Sequence, residues 1–231
     1  MIVYKQADQS IQFIWNREFD GEKMKQIFVH GLGQMPTSWD KTIKIMDVSE
    51  NAVCPNLPKL VQGCEMNYAN LYNAFSEFCN KYEGTVDICG LSLGGVLAIN
   101  YAIDHPNKVR SLVLIAAQYK MPKRILQFQN VIFRFMPQSM FQQMGFGKTE
   151  FLQLCKTMTE LDFSPSIKKI VCPTLIICGE KDSANKKASI ELADKMQNKR
   201  LCILHEAKHE INAEMPEKLA EVLQEFYSQI R

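Results

Sequence analysis

Apolar and polar positions alternate along the chain with two periods in turn. Gln26-Ile27-Phe28-Val29 is a short apolar run ending at His30-Gly31-Leu32-Gly33, which predicts a strand running into a glycine loop. Ser38 stands as an N-cap before Trp39 and an Ile43/Met46 face, predicting a helix. Leu71, Phe75 and Phe78 recur at helical spacing within 70–82, and a β-rich run from Thr85 to Cys89 follows. Leu93 to Ile103 reads as a helix stopped by His105-Pro106. Val109 to Ala117, Thr174 to Cys178 and Arg200 to Leu204 read as apolar strands, with helices over Ala184 to Met196 and Pro216 to Ile230. Near the start, Ile2 to Tyr4 and Ile11 to Trp15 flank Ala7-Asp8-Gln9-Ser10 like the arms of a β-hairpin. Strands apolar on both faces, alternating with helices, predict the α/β class: a mostly parallel central sheet with helices on both faces.

One segment breaks the alternation. Between Ala117 and Thr174 there is no strand pattern, and Pro122 to Met136, Gln138 to Met144 and Thr149 to Leu161 read as three helices rich in Phe and Met. The expected organisation is a core of residues 1–117 and 166–231, interrupted after the sixth strand by a small helical cap at 118–165. An insertion after a parallel strand emerges at the sheet edge where α/β folds bind ligands. Part of its apolar face, with Phe128 and Met140 as candidates, is therefore expected to line a substrate pocket. The Met136/Met140/Met144 stripe, at helical spacing, fits packing between cap and core better than a ligand-specific role.

Composition narrows the possibilities. With 231 residues, 46% hydrophobic and 23% charged, the chain can bury a core and is not a disordered segment. Its 27 Lys and Arg against 25 Asp and Glu give a formal net charge of +2, which makes no electrostatic case for nucleic acid or an anionic membrane. No apolar run approaches the ~18 residues needed to span a bilayer, and the first residues lack a signal-peptide layout, so a cytoplasmic location is expected. The 8 cysteines include no Cys-x-x-Cys pair, and there are 4 histidines, so no metal is expected; Cys89, Cys178 and Cys202 sit in apolar runs and read as buried thiols. Neither Gly-x-Gly-x-x-Gly nor Gly-x-x-x-x-Gly-Lys occurs, so neither dinucleotide nor P-loop binding is supported and no cofactor is expected.

The strongest local signal is Gly90-Leu91-Ser92-Leu93-Gly94-Gly95, a Gly-x-Ser-x-Gly motif between a predicted strand and a predicted helix. That context puts a serine on a sharp strand-to-helix turn, with glycines where a Cβ would collide and a helix N-terminus aimed at the reacting centre. An oxyanion needs two preorganised N–H donors. Leu93 would supply one and the His30-Gly31-Leu32-Gly33 loop, through Leu32, the other; the two glycines are equally compatible with a plain turn. His30 itself fits a structural role. Asp182, in Cys178-Gly179-Glu180-Lys181-Asp182, follows an apolar strand and could orient an imidazole or cap the next helix. His209 follows the last strand with better reach than His205, and is the candidate base; His105 sits at a helix end, far from the strand tips.

Ser92, Asp182 and His209 occur in the chain order nucleophile, acid, histidine. With the His-Gly-x-Gly loop, the Gly-x-x-Asp turn and the histidine loop followed by Glu214-x-Pro216, the sequence resembles an α/β-hydrolase along essentially its whole length. Two departures stand out. Lys208 replaces the usual glycine before the histidine, and Cys54-Pro55-Asn56-Leu57-Pro58 stands where a longer glycine-rich turn is common. The resemblance implies a serine hydrolase of carboxylesterase type acting on a small-molecule ester or thioester as its partner, and the apolar character of the cap favours a small or medium acyl or aromatic group. Other chemistry on the same three residues (carbon–carbon bond hydrolysis, acyl transfer or a lyase step) remains open, as does a non-catalytic binding role.

Overall fold

Successive residues of a strand point to opposite sides, and here both sides are apolar. Ile27, Val29, Ile88, Leu112, Leu114 and Ile176 pack into one core. Phe28, Cys89, Leu91, Val113, Ile115, Leu175 and Ile177 pack into a second core on the other face. Such strands need cover on both sides, and that requirement dictates three layers.

The computed structural model describes residues 2–5, 25–143 and 147–230. Its sheet contains β1 (Ile2–Lys5), β2 (Gln26–Val29), β3 (Ala52–Val53), β4 (Val86–Leu91), β5 (Val109–Ile115), β6 (Thr174–Gly179) and β7 (Lys199–Leu204). The spatial order is β1-β7-β6-β5-β4-β2-β3, parallel throughout except where β1 pairs with β7. Among the described residues the helices are α1 (Asp40–Met46), α2 (Leu57–Leu60), α3 (Tyr68–Asn80), α4 (Leu93–Asp104), α5 (Lys123–Phe135), α6 (Gln138–Gln143), α7 (Lys148–Met158), α8 (Ser183–Lys195), α9 (Ile211–Glu214) and α10 (Pro216–Gln229). Side chains of α3, α4, α7 and α8 join the first core, and those of α1 and α10 the second.

The differences from the sequence pattern have local causes. The helix expected from Ser38 starts instead with a 3-10 turn over Pro36–Trp39, opened by the fixed φ of Pro36, and continues as α1. Single-turn helices α2 and α9 are too short to show a period. The strand counted sixth along the sequence is β5, because Ile11 to Trp15 and the turn before it lie outside the described residues. Between β5 and β6 the described residues form α5, α6 and α7 and no named strand. The two ends of this segment are tied together: the Met121 N–H donates to Leu161 O at 3.0 Å and the Phe163 N–H to Tyr119 O at 2.8 Å.

At the junction of β4 and α4 the backbones touch. A Cβ on Gly90 would lie 2.4 Å from Gly94 O, one on Gly94 would lie 2.3 Å from Val29 O, and one on Gly95 would lie 2.6 Å from the Ala117 Cβ. The first turn of α4 therefore rests directly on the end of β2. Gly94→Ala is expected to lower stability by about 1–3 kcal/mol through this overpacking. Urea denaturation of the variant checks it, and an unchanged midpoint would mean that α4 can lift off β2 freely.

Candidate active site

Ser92 follows β4 directly and precedes the first residue of α4. Its φ of 52° and ψ of −113° lie in a region that non-glycine residues rarely adopt. The contacts that hold it there are backbone ones: its N–H donates to Ile115 O at 2.8 Å and its carbonyl accepts from the Val96 N–H at 3.0 Å. Ala116, at the end of the neighbouring strand, is also at positive φ, 50°. Two such residues side by side mark this sheet edge as the strained one.

The sheet order puts the His30 loop beside that turn. Val29, the last residue of β2, pairs with Gly90. A Cβ on Gly31 would lie 3.6 Å from the Ser92 Cβ and 2.8 Å from Leu91 Cδ2, so Gly31 lets the loop pass against the elbow. Gly33, at φ 86°, turns the chain away again. Leu93 opens α4, so its N–H is among those a helix leaves unsatisfied. The Leu32 N–H has no hydrogen-bond partner among the described residues. His30 is fully buried: its Nδ1 lies 2.9 Å from Gly31 O and its Nε2 accepts from the Leu57 N–H at 3.2 Å. Burial holds its pKa below the ordinary value. It is a neutral buttress for the loop.

Asp182 and His209 come together. His209 Nδ1 lies 2.7 Å from Asp182 Oδ2, with the carboxyl side chain 5% exposed and the imidazole 40%. Gly179 permits this, because a Cβ there would lie 2.2 Å from Lys208 O. The Lys181 N–H also donates to Ala207 O at 2.9 Å, lacing the two loops together. Lys208, in the place of the usual glycine, contributes its carbonyl to this contact and its N–H to Glu214 Oε2 at 3.2 Å. Burial pushes the Asp182 carboxyl up, but hydrogen bonds from His209 and Asn185 outweigh it and leave the group below the usual carboxylate value. The hydrogen bond to Asp182 pushes the His209 imidazole up, against the opposing effect of its own burial. Asp182 also caps α8, accepting from the Asn185 N–H at 3.2 Å, so the two roles open to it in the sequence coexist.

Three supports were not legible in the sequence. Asn185 Nδ2 donates to both Asp182 oxygens at 2.9 Å, and Asn185 Oδ1 accepts from Gln118 Nε2 at 2.8 Å. The third is a buried amide pair. Gln34 Nε2 donates to Asn212 Oδ1 at 3.0 Å, and Asn212 Nδ2 donates back to Gln34 Oε1 at 3.1 Å. Gln34 Oε1 also accepts from the Gly31 N–H at 3.3 Å. This pair bolts the Leu32 loop to the segment just after His209. Its members are separated by 178 positions, so no local pattern could reveal them.

Rival groups fall away on geometry. Glu180 pairs with His205 at 2.6 Å, but that imidazole is 58% exposed. His105 packs on Tyr101 and lies 3.1 Å from Ser76 Oγ at the far end of α4. Cys89, Cys178 and Cys202 are buried, and burial pushes the Cys178 and Cys202 thiols up to about 11, so neither is a thiolate at neutral pH. Of the two candidate pocket residues, Met140 lies on α6 and is 41% exposed. The Phe128 side chain lies outside the described residues. No described helix is long and apolar enough to cross a membrane.

The sequence profile of the alpha/beta hydrolase family matches residues 26–222. A monoacylglycerol lipase of Xenopus laevis is 23% identical over 261 residues, covering 91% of this chain and 77% of that protein. Among solved structures, MenH from S. aureus superposes with a TM-score of 0.76 at 15% identity, covering 99% of this chain and 98% of its own. The enol-lactonase from Burkholderia xenovorans does so with a TM-score of 0.73 at 15% identity, covering 98% and 96%. These two structures share the fold. The profile spans β2 to α10 and includes the elbow, the acid turn and the histidine loop. The chain therefore belongs to the alpha/beta hydrolase family, and it is a hydrolase.

Proposed function

We propose that the chain is a serine hydrolase that cleaves a carboxylic ester or thioester with a small to medium apolar acyl group. The observation that carries this reading is the strained Ser92 elbow, on the same sheet edge as the hydrogen-bonded Asp182–His209 pair with its buried carboxylate. The name of the Xenopus laevis relative, monoacylglycerol lipase, supports a glycerol monoester as the first substrate to try.

In this mechanism Ser92 Oγ attacks the acyl carbonyl while His209 Nε2 takes its proton. Nδ1–H is held by Asp182, which fixes the tautomer and stabilises the imidazolium as it forms. The carbonyl oxygen gains charge and is met by the Leu32 and Leu93 N–H groups. His209 then returns the proton to the leaving alcohol or thiol. Water, deprotonated by the same imidazole, frees the acid and restores Ser92. Residues 118–165 act as a cap over this edge, entering and leaving through the hydrogen-bonded segments at Tyr119–Met121 and Leu161–Phe163.

Three measurements test the reading. Ser92→Ala is expected to keep the parent's thermal midpoint and lose turnover of soluble esters on the order of a million-fold; a rate within a few-fold of the parent removes Ser92 as nucleophile. His209 must be neutral to accept the proton, and its pKa is raised, so kcat/KM should fall with acid through an inflection above the ordinary imidazole value of ~6.5. Asp182→Asn should remove the main cause of that rise, move the inflection down and lower kcat up to roughly ten-thousand-fold; an unmoved inflection would assign it to another group. Finally, Gln34→Leu leaves the Gly31 N–H and Asn212 unpaired. It is expected to lower kcat about a hundred-fold with little change in KM, the effect of a misplaced oxyanion loop. A change in KM alone would mean that the pair serves substrate binding instead.

A further inference from the structure

Helix α5 is apolar on two sides. Its inner stripe, Leu126 and Phe133, packs against the core, with Phe133 edge-on to Phe151 at 5.2 Å. The opposite stripe, Val131, Ile132 and Phe135, faces water: Phe135 is 84% exposed and the other two are half-exposed. Met140 of α6 adds a further exposed apolar side chain. A helix that ends on water carries a polar outer face, and a cluster of large exposed apolar groups marks a contact surface.

Charge is segregated onto the same segment. Residues 118–165 hold six Lys and Arg against three Asp and Glu, so the chain's whole positive balance lies here and the remainder is slightly negative. Two of the three acids are already taken: Glu160 pairs with Lys123, and Asp162 with Lys120. The third, Glu150, accepts the Gly147 N–H. Arg134 and Lys156 have no ion-pair partner among the described residues. They line a groove of about 510 Å³ between α5 and α7, together with Thr149 and Gln153, and no acid lines it. Val131 of the exposed stripe lines the same groove, so the apolar and cationic features are continuous.

We propose that the outer face of α5 and α6, with the Arg134/Lys156 groove, docks the protein on an anionic lipid bilayer surface. The apolar stripe enters the boundary between headgroups and acyl chains, and the cations meet the lipid phosphates. A second copy of the chain satisfies the apolar stripe less well. A two-fold interface on this face would bring the same unpaired cations together. The chain-wide charge balance, which gave no case for an anionic membrane, averages over this segregation. The proposal does not depend on the role of Ser92, because docking is read without turnover.

The test is co-sedimentation of the full chain with phosphatidylcholine vesicles, alone and with roughly a quarter phosphatidylglycerol. The parent is expected to bind the anionic vesicles and to be released by salt. Each lost cation should weaken partitioning about fivefold, so Arg134→Gln/Lys156→Gln should bind far more weakly. Phe135→Ser should also weaken binding. Both variants change exposed side chains and should keep the parent's thermal midpoint and its rate on a soluble short-chain ester. The proposal is overturned if the parent binds neutral and anionic vesicles alike or binds neither. It is also overturned if the variants bind as the parent does, or if the parent elutes as a dimer that Phe135→Ser turns into a monomer.

Discussion

Everything at the candidate site depends on backbones that approach to direct contact at a few glycines. Gly90 and Gly94 let α4 settle onto the end of β2, and Gly179 lets the histidine loop lie on the acid turn. A methyl group at any of these points would sit under 2.5 Å from a carbonyl oxygen. The strain at Ser92 is a consequence. With α4 pressed down and the Ser92 N–H tied to Ile115 O, the chain has no other way to pass from strand to helix. Main-chain hydrogen bonds and core packing on both faces hold that conformation, so the serine needs no side-chain contact to stay in place.

The parts of this arrangement that were legible in the sequence are those written in local spacing. The strands appeared as continuous apolar runs because both of their faces are buried, and the elbow appeared because its glycines and serine are neighbours in the chain. The helices between β5 and β6 were visible for the same reason. What was not legible depends on contacts across the sheet. Gln34 and Asn212 meet only because β2 and the last loop finish at the same edge, and Gln118 reaches Asn185 from 67 positions away. The start of α1 departs from the capping pattern at Ser38 because Pro36, with its fixed φ, sets the first turn.

The choice between two acid–histidine pairs shows where sequence reasoning ends and environment takes over. The turns after β6 and β7 present Glu180 with His205 and Asp182 with His209, at nearly equal distances of 2.6 and 2.7 Å. Residue type and spacing scarcely distinguish them. Exposure does. The Glu180 pair sits in water, where an ion pair contributes little and orients little. The Asp182 carboxylate is buried, so its charge acts at short range through a poorly screened medium, and it is additionally fixed by Asn185, which is itself held by Gln118. A carboxylate held from three directions presents one acceptor geometry to the imidazole, which in turn leaves Nε2 as the nitrogen free for proton transfer. The pair that is harder to desolvate is the one the fold has spent hydrogen bonds on, and those supporting amides, more than the acid itself, distinguish the Asp182–His209 pair from the Glu180–His205 pair at the surface.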